Sequence, residues 1–476
     1  MNTLLKTAFL LLALLGLGAF LVASLRVSPA PAVELRADAA AIGARAGVSA
    51  TASAGGRGLA FLRIEVEQGG VAHVVARKEY RPLAPLAFTG ERTERDELRG
   101  EVGRAALPAL VEGEAVVRVV AGRAPTWLRR PDPVVKELRL PVRLTPPSLE
   151  VLSSQHYVAQ GGAGVVVYRL GPTAVRDGVR AGEWFFPSAA RPGGGPQERL
   201  ALFGVPWDLA DSQALQVVAV DDAGNESALA FVDRFFPKPP ARDRIALDDA
   251  FLAKVVSEIR QQTPSLEGRG SLLEDYLEIN RDLRRKNAAE LVALAPRSAG
   301  AFLFTEPFLP LPNAKVMSAF ADRRTYLYRG REVDEQTHLG FDLASVARTP
   351  VPAANRGVVV LARYFGIYGN TVVLDHGLGL ATLYSHLSAI DVEEGATVER
   401  GAVVGRTGAT GLAGGDHLHF TTLVRGLPVN PLEWWDAAWV RDRVAAKAGD
   451  AALAFTGGQI SNLESGRGRR PAPGGP

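Results

Sequence analysis

The chain has no cysteine among its 476 residues, so neither a disulfide framework nor a thiolate metal site is open to it. It also carries little net charge. Against 54 lysines and arginines stand 51 acidic residues, leaving +3, which gives no basis for a nucleic-acid partner. Arginine far outnumbers lysine, as a GC-rich genome dictates. Histidine is scarce, and five of the seven fall between positions 338 and 419. The one long apolar run is residues 7–25, between Lys6 and Arg26; at about 19 residues it is near the roughly 20 that cross a bilayer as a helix. No clear small-x-small cleavage site follows, since Pro29 and Pro31 interrupt the stretch. Residues 1–32 are therefore expected to be a signal anchor with the Lys6 end in the cytoplasm, the alternative being a cleaved signal peptide. The expected location is the cell envelope: a single pass of the inner membrane through residues 7–25 with a periplasmic body, or secretion to the periplasm after cleavage.

The length implies about three domains. From Val33 to about Pro240, apolar and polar residues alternate in short runs broken by Gly, Pro and Asp, the pattern of antiparallel β modules. Glu114–Gly122 and Ala214–Asn225 look related, and the second resembles the late strand and turn of bacterial immunoglobulin-like domains. The expected division is a β-sandwich-like module over 33–145 and an immunoglobulin-like module over 146–240, both serving as spacers. A helical connector over 241–298 should follow: Phe251, Val255 and Ile259 recur at helical spacing, as do Leu272, Tyr276, Ile279 and Leu283 beyond Pro264 and Gly268–Gly270. Its run of Arg281, Asp282, Arg284, Arg285 and Lys286 reads as a solvated face. The apolar stripes should serve packing, a dimer contact or a cover over a neighbouring groove, in that order. Residues 441–476 are expected to be a partly disordered extension, with Gly457–Pro476 rich in Gly, Arg and Pro.

The chemistry lies in the histidines. In extended chain, residues i and i+2 share a face, so His417 and His419 can converge while Leu418 and Phe420 enter a core. By the same rule His338 and Asp342 lie opposite Leu339, Phe341 and Leu343, and His386 sits in Leu383-Tyr384-Ser385-His386-Leu387. Catalytic zinc commonly takes three His, Asp or Glu ligands and leaves a position for water, and His338, Asp342 and His419 supply that number. His376, in Asp375-His376-Gly377, reads as part of a turn; His73 and His156 have no partner motif. Glycines 369, 377, 405, 408, 411, 414 and 415 read as turn residues, with 411–415 also able to let backbone approach a substrate.

From about Pro307 to Trp435 these residues resemble the lysostaphin-type, or LytM-like, zinc endopeptidases of peptidoglycan. The motifs are Ser318-Ala319-Phe320-Ala321-Asp322-Arg323-Arg324, His338-Leu339-Gly340-Phe341-Asp342, Pro350-Val351, Gly369-Asn370, Asp375-His376-Gly377, Leu383 to Ser388, Thr407-Gly408, His417-Leu418-His419-Phe420 and Asn430-Pro431. The resemblance implies a mainly antiparallel β peptidase domain over 299–440, making the chain multidomain: all-β immunoglobulin-like sandwiches, an α-helical connector, then the LytM-like domain. It implies one zinc per chain held by His338, Asp342 and His419, with His386 and His417 lining the site, and peptidoglycan as the partner. Where this chain has Ala321 the family usually has glycine, a difference that bears on a turn.

Such a zinc site makes bound water acidic enough to attack an amide near neutral pH. A base and an oxyanion donor are still required, each giving roughly 10²-fold or more. His386 and His417 are the candidates, and spacing does not say which does which. The expected function is hydrolysis of peptide bonds in peptidoglycan stems or cross-links. The alternative is a LytM-like module that activates a separate amidase; such modules lose metal ligands, whereas all are kept here. A third reading is an endopeptidase acting on peptides outside the wall. Neither the bond cut nor the oligomeric state is encoded in these residues.

Overall fold

The structure is a computed structural model describing residues 3–239 and 241–449, which fall into two compact units. Residues up to Ser148, with Thr173–Arg176 and Ala219–Ser227, make one; Leu149–Pro172, Asp177–Val218 and Ala228 onward make the other. The expected disorder of Gly457–Pro476 lies outside the described residues.

The first unit opens with an α-helix over Thr3–Leu25, long and apolar enough to cross a membrane from Leu4 to Leu25. Two antiparallel sheets follow. One orders Ala32–Ala37, Ala46–Ser53 and Arg95–Val102, and the other Val71–Glu79, Leu59–Gln68, Gly113–Arg123 and Val134–Val142. Alternation along the strands explains the sandwich: Val48, Ala50 and Ala52 of one sheet share a core with Leu62, Ile64, Val117 and Val119 of the other. Each large aliphatic so buried contributes about 1.5–3 kcal/mol.

The second unit begins with a four-stranded sheet ordered Ala189–Ala190, Glu198–Gly204, Ala163–Leu170 and Leu149–Val151. Its strand Glu198–Gly204 packs on Leu418–Val424 and Leu427–Val429. A Cβ at Gly204 would meet Leu427 and Val429 at 2.9 Å, so the glycine permits close approach of the two backbones. Gly161 O accepts from Asn430 N at 2.7 Å, and Ala163 N donates to the Glu433 carboxylate at 2.7 Å.

The connector expected to be helical from 241 instead opens with a strand, Arg242–Leu247, paired parallel with Asp322–Tyr328 and followed by the antiparallel Arg331–His338. Asp248 then caps a helix over Asp249–Gln262, its carboxylate accepting from Phe251 N at 2.7 Å. Ser271 caps Leu272–Glu278, its hydroxyl accepting from Glu274 N at 3.2 Å and donating to the Glu274 carboxylate at 2.9 Å. One π turn, Ile279–Leu283, joins this to Arg284–Leu294. The stripes are spent on packing: Leu252, Val255, Ile259, Tyr276 and Ile279 bury against Tyr326 and Ile367.

The central element is an antiparallel sheet of eight strands. Its order is Lys315–Ser318, Phe341–Ala344, Leu418–Val424, Leu380–Leu387, Asn370–Gly377, Gly357–Tyr364 and Thr397–Val398, with Leu427–Val429 also on Leu418–Val424. Beneath it Phe304, Phe308 and Trp434 stack edge to face and are buried. Residues 338–342, expected as one strand, are two: the chain leaves the three-stranded sheet at His338 and joins the large one at Phe341.

Candidate metal centre

The large sheet sets Asp342 directly across from His419, in the register Asp342↔His419, while His386 is the last residue but one of the neighbouring strand. His338 comes from the other sheet across the break at Leu339–Gly340, where only glycine fits: a Cβ on Gly340 would meet the His419 ring and Thr421 Oγ1 at 2.6 Å. His386 holds φ 60°, in the left-handed region, so its imidazole is aimed by backbone strain. The His386 and His417 ring centroids are 4.9 Å apart, and those of His386 and His419 5.8 Å. All four imidazoles and Asp342 line one cavity of about 480 Å³.

Proton bookkeeping at this site is decisive. A carbonyl oxygen only accepts, so His338 Nδ1 donates to Ala319 O at 3.0 Å, His386 Nδ1 to Thr410 O at 2.8 Å, and His417 Nδ1 to Gly415 O at 2.8 Å. Thr421 gives its hydroxyl proton to Leu339 O at 3.0 Å and therefore accepts from His419 Nε2, also at 3.0 Å. The remaining lone pairs are those of His338 Nε2, His419 Nδ1, His386 Nε2 and His417 Nε2. Of these, His338 Nε2 and His419 Nδ1 stand 2.9 Å apart, and each is within 3.0 Å of Asp342 Oδ1. Three buried acceptors thus face one another with no proton to share. That donor set fits a cation, and the three ligand atoms lie within 4.8 Å of one another.

The charges agree. Burial would raise the Asp342 pKa, but His338, His417 and His419 hold it well below the usual carboxylate range. Burial lowers His419 to about 4 despite Asp342, and it is also the main cause holding His386 well below the ordinary histidine value. At His417 burial is outweighed by the Asp342 carboxylate, whose Oδ1 is 3.5 Å from Nε2, and the pKa is raised. Arg324 donates to Asp342 Oδ2 at 2.6 Å, fixing the carboxylate from its far side.

The model of Peptidase family M23 matches residues 336–431. The chain carries a peptidase family M23 domain. Members of this family are metallopeptidases. The DD-carboxypeptidase/endopeptidase Mpg of Neisseria meningitidis serogroup B is 44% identical over 95 residues, 20% of this chain and 22% of that protein. The peptidoglycan DD-endopeptidase ShyA of Vibrio cholerae is 40% identical over 119 residues, 25% of this chain and 27% of that one. The chain thus spans about a quarter of the length of these curated relatives. Among solved structures, the catalytic domain of lysostaphin from Staphylococcus simulans is 26% identical, covering 26% of this chain and 92% of its own, with a TM-score of 0.23. A zinc-containing peptidase from Vibrio cholerae is 17% identical, covering 67% and 81%, with a TM-score of 0.25.

Within the M23 domain, the structure brings together His338, Asp342, His386, His417 and His419 and leaves His376 apart. The last is buried, with Nδ1 on Arg356 O at 2.7 Å and Nε2 on Thr382 Oγ1 at 2.8 Å, and it does not line the cavity. Gly414 borders the cavity, and a Cβ there would meet nothing within 4 Å. Sequence reasoning gave no site role to Arg324, Tyr368 or Arg284, and read Phe251 and Tyr276 only as members of the connector's apolar stripes; all five line the same cavity. The double arginine carried a signal for the first. For the connector residues the signal was the stripe itself, since an apolar face beside a hydrolytic module must cover something. Arg284, read as part of a solvated face, is half-buried in the cavity wall.

Proposed function

We propose that this chain is a zinc metallo-endopeptidase that hydrolyses peptide bonds in peptidoglycan, with His338, Asp342 and His419 as the metal ligands. The observation that carries the reading is the meeting of His338 Nε2, His419 Nδ1 and Asp342 Oδ1 within 3.0 Å of one another, on rings that donate outward through their other nitrogen. Zinc held there would acidify a water and polarise the scissile carbonyl. Asp342 lowers the charge of the site, Arg324 and Thr421 fix two of the ligands, and Ala319 O fixes the third. His386 and His417 present Nε2 beside the ligands on rings locked through Nδ1. They divide between them the acceptance of a proton from the attacking water and the stabilisation of the oxyanion.

The substrate reading is supported by the relatives' names, a peptidoglycan DD-endopeptidase and a DD-carboxypeptidase/endopeptidase. The helix over Thr3–Leu25 supports delivery to the cell envelope, either as a single-pass anchor in the inner membrane or as a signal. Incubating the soluble region with purified sacculi and identifying released muropeptides by mass tests the activity; intact sacculi with zinc-loaded protein would refute it. A reporter active only outside the cytoplasm, fused after residue 45, should be active, and resistance to carbonate extraction separates anchor from cleaved signal.

A further inference from the structure

The cavity has a cationic wall that the hydrolytic chemistry leaves unused. Tyr276, Asn280 and Arg284 recur every four residues on the connector, and the π turn over Ile279–Leu283 lies between the first and the last. Asn280 is buried and grips the Arg284 guanidinium: its carbonyl accepts from Nε at 3.0 Å and its Oδ1 from Nη2 at 2.6 Å. Asn280 Nδ2 is in turn held by Asp334 at 2.8 Å, but that carboxylate is already paired with Arg281 at 2.9 Å. Arg284 therefore forms no ion pair among the described residues, and most of its five N–H donors remain free.

Its neighbours complete a subsite. The Tyr276 hydroxyl is buried and has no hydrogen-bond partner among the described residues. Tyr368 shares the wall, with its ring centroid 5.8 Å from that of His419. The other arginine of the cavity, Arg324, is committed to Asp342. Asp248, the second carboxylate in the lining, is engaged at Phe251 N. A planar guanidinium braced from behind and unpaired, in a cavity wall that also holds an unsatisfied hydroxyl, suits bidentate capture of a carboxylate.

We propose that Arg284, with the Tyr276 hydroxyl, binds a carboxylate of the peptide substrate and so makes the cavity selective for acidic peptides. The proposal rests on reading the cavity as a peptide-cleaving site. The carboxylate is either a chain terminus or an acidic side chain.

The test uses the full chain with its metal removed and measures binding by calorimetry, so that no hydrolysis is involved. Three N-acetylated peptides of equal length are compared: one ending in a free carboxylate, its C-terminal amide, and an amide carrying an acidic side chain. One acidic peptide should bind about tenfold tighter than the plain amide, and which one does so identifies the source of the carboxylate. Arg284→Gln should abolish the preference and Arg284→Lys restore part of it. Tyr276→Phe removes only an unpaired hydroxyl, leaves the fold intact, and should reduce the preference by about threefold. Equal affinity of the wild type for all three peptides, or an equal loss for all three in Arg284→Gln, would overturn the subsite. A preference that depends on Arg284 in a chain that releases nothing from sacculi would keep the subsite and remove the hydrolase reading.

Discussion

Two places in the second unit bring a buried histidine against an aspartate, and they are built oppositely. In the β module, His156 Nε2 meets Ser153 Oγ at 2.9 Å, while the His156 backbone N–H donates to Asp233 at 2.7 Å. Ser153 Oγ also accepts from Val167 N at 2.8 Å. Donors and acceptors alternate there, and the cluster closes on itself, tying a loop to its strand. At Asp342 the alternation fails, because each ring donates outward through one nitrogen, to Ala319, Thr410, Gly415 or Thr421, and turns its other nitrogen inward. Burial acts alike in both, lowering His156 and His419 each to about 4. What separates the structural cluster from the proposed metal site is therefore the direction in which the rings donate, with both histidines buried.

The strongest way to break this contrast is to remove one member of each cluster. His419→Ala should lose nearly all of the zinc, expected at about one per chain, together with measurable hydrolysis, whereas His156→Ala should keep both. Elemental analysis of the two purified variants decides it. Wild-type protein that takes up no zinc would end the reading. A chelator should abolish hydrolysis and added zinc should restore it.

Next come the imidazoles proposed to face the site without serving as ligands. His386→Ala and His417→Ala should each retain zinc while turnover falls at least roughly 10²-fold. Loss of metal in either would move that residue into the ligand set. Thr421→Val probes the proton direction itself: it removes the acceptor of His419 Nε2–H and keeps the shape, so zinc should bind roughly 10-fold more weakly. Unchanged affinity in a competition titration would mean that the His419 ring is oriented by something else.

Glu433 sharpens the comparison from the carboxylate side. Asp342 faces imidazoles and is driven down; Glu433 sits half-buried against Gly162 with one N–H donor, and desolvation pushes it up to about 8. A folded pKa above the unfolded 4.5 means that the native state holds the proton more tightly. The contribution to stability is complete below about pH 4.5 and is lost as pH rises through about 8. Thermal melts from pH 5 to 9 should thus fall more steeply for wild type than for Glu433→Gln. Parallel curves would place Glu433 in water.

Much of the site was legible because it obeys short-range rules. Period-2 spacing placed His417 with His419, and Leu418 and Phe420 are indeed buried. The same rule brought His338 to Asp342, although by a chain break and not along one strand. What escaped depends on distant pairing. Arg242–Leu247 begins with three charged residues and lacks apolar alternation, so its strand exists only because Asp322–Tyr328 offers an edge. Arg284 sits in a charged run, and one π turn shifts the helical phase just before it, so a 3.6-residue count put it in solvent.

The smallest effect concerns the backbone behind His338. Ala321 holds φ 67° while its N–H donates to His338 O at 2.7 Å. That places a Cβ in the left-handed region, at a cost of about 1 kcal/mol, in a turn behind the proposed ligand His338. Glycine relieves the strain but adds freedom to the unfolded chain, and the first effect is the larger where φ is positive. Ala321→Gly should therefore raise stability by up to about 1 kcal/mol with zinc content and turnover unchanged. A fall in turnover without a fall in stability would show that this turn is held under strain to aim His338, as His386 is aimed by its own positive φ.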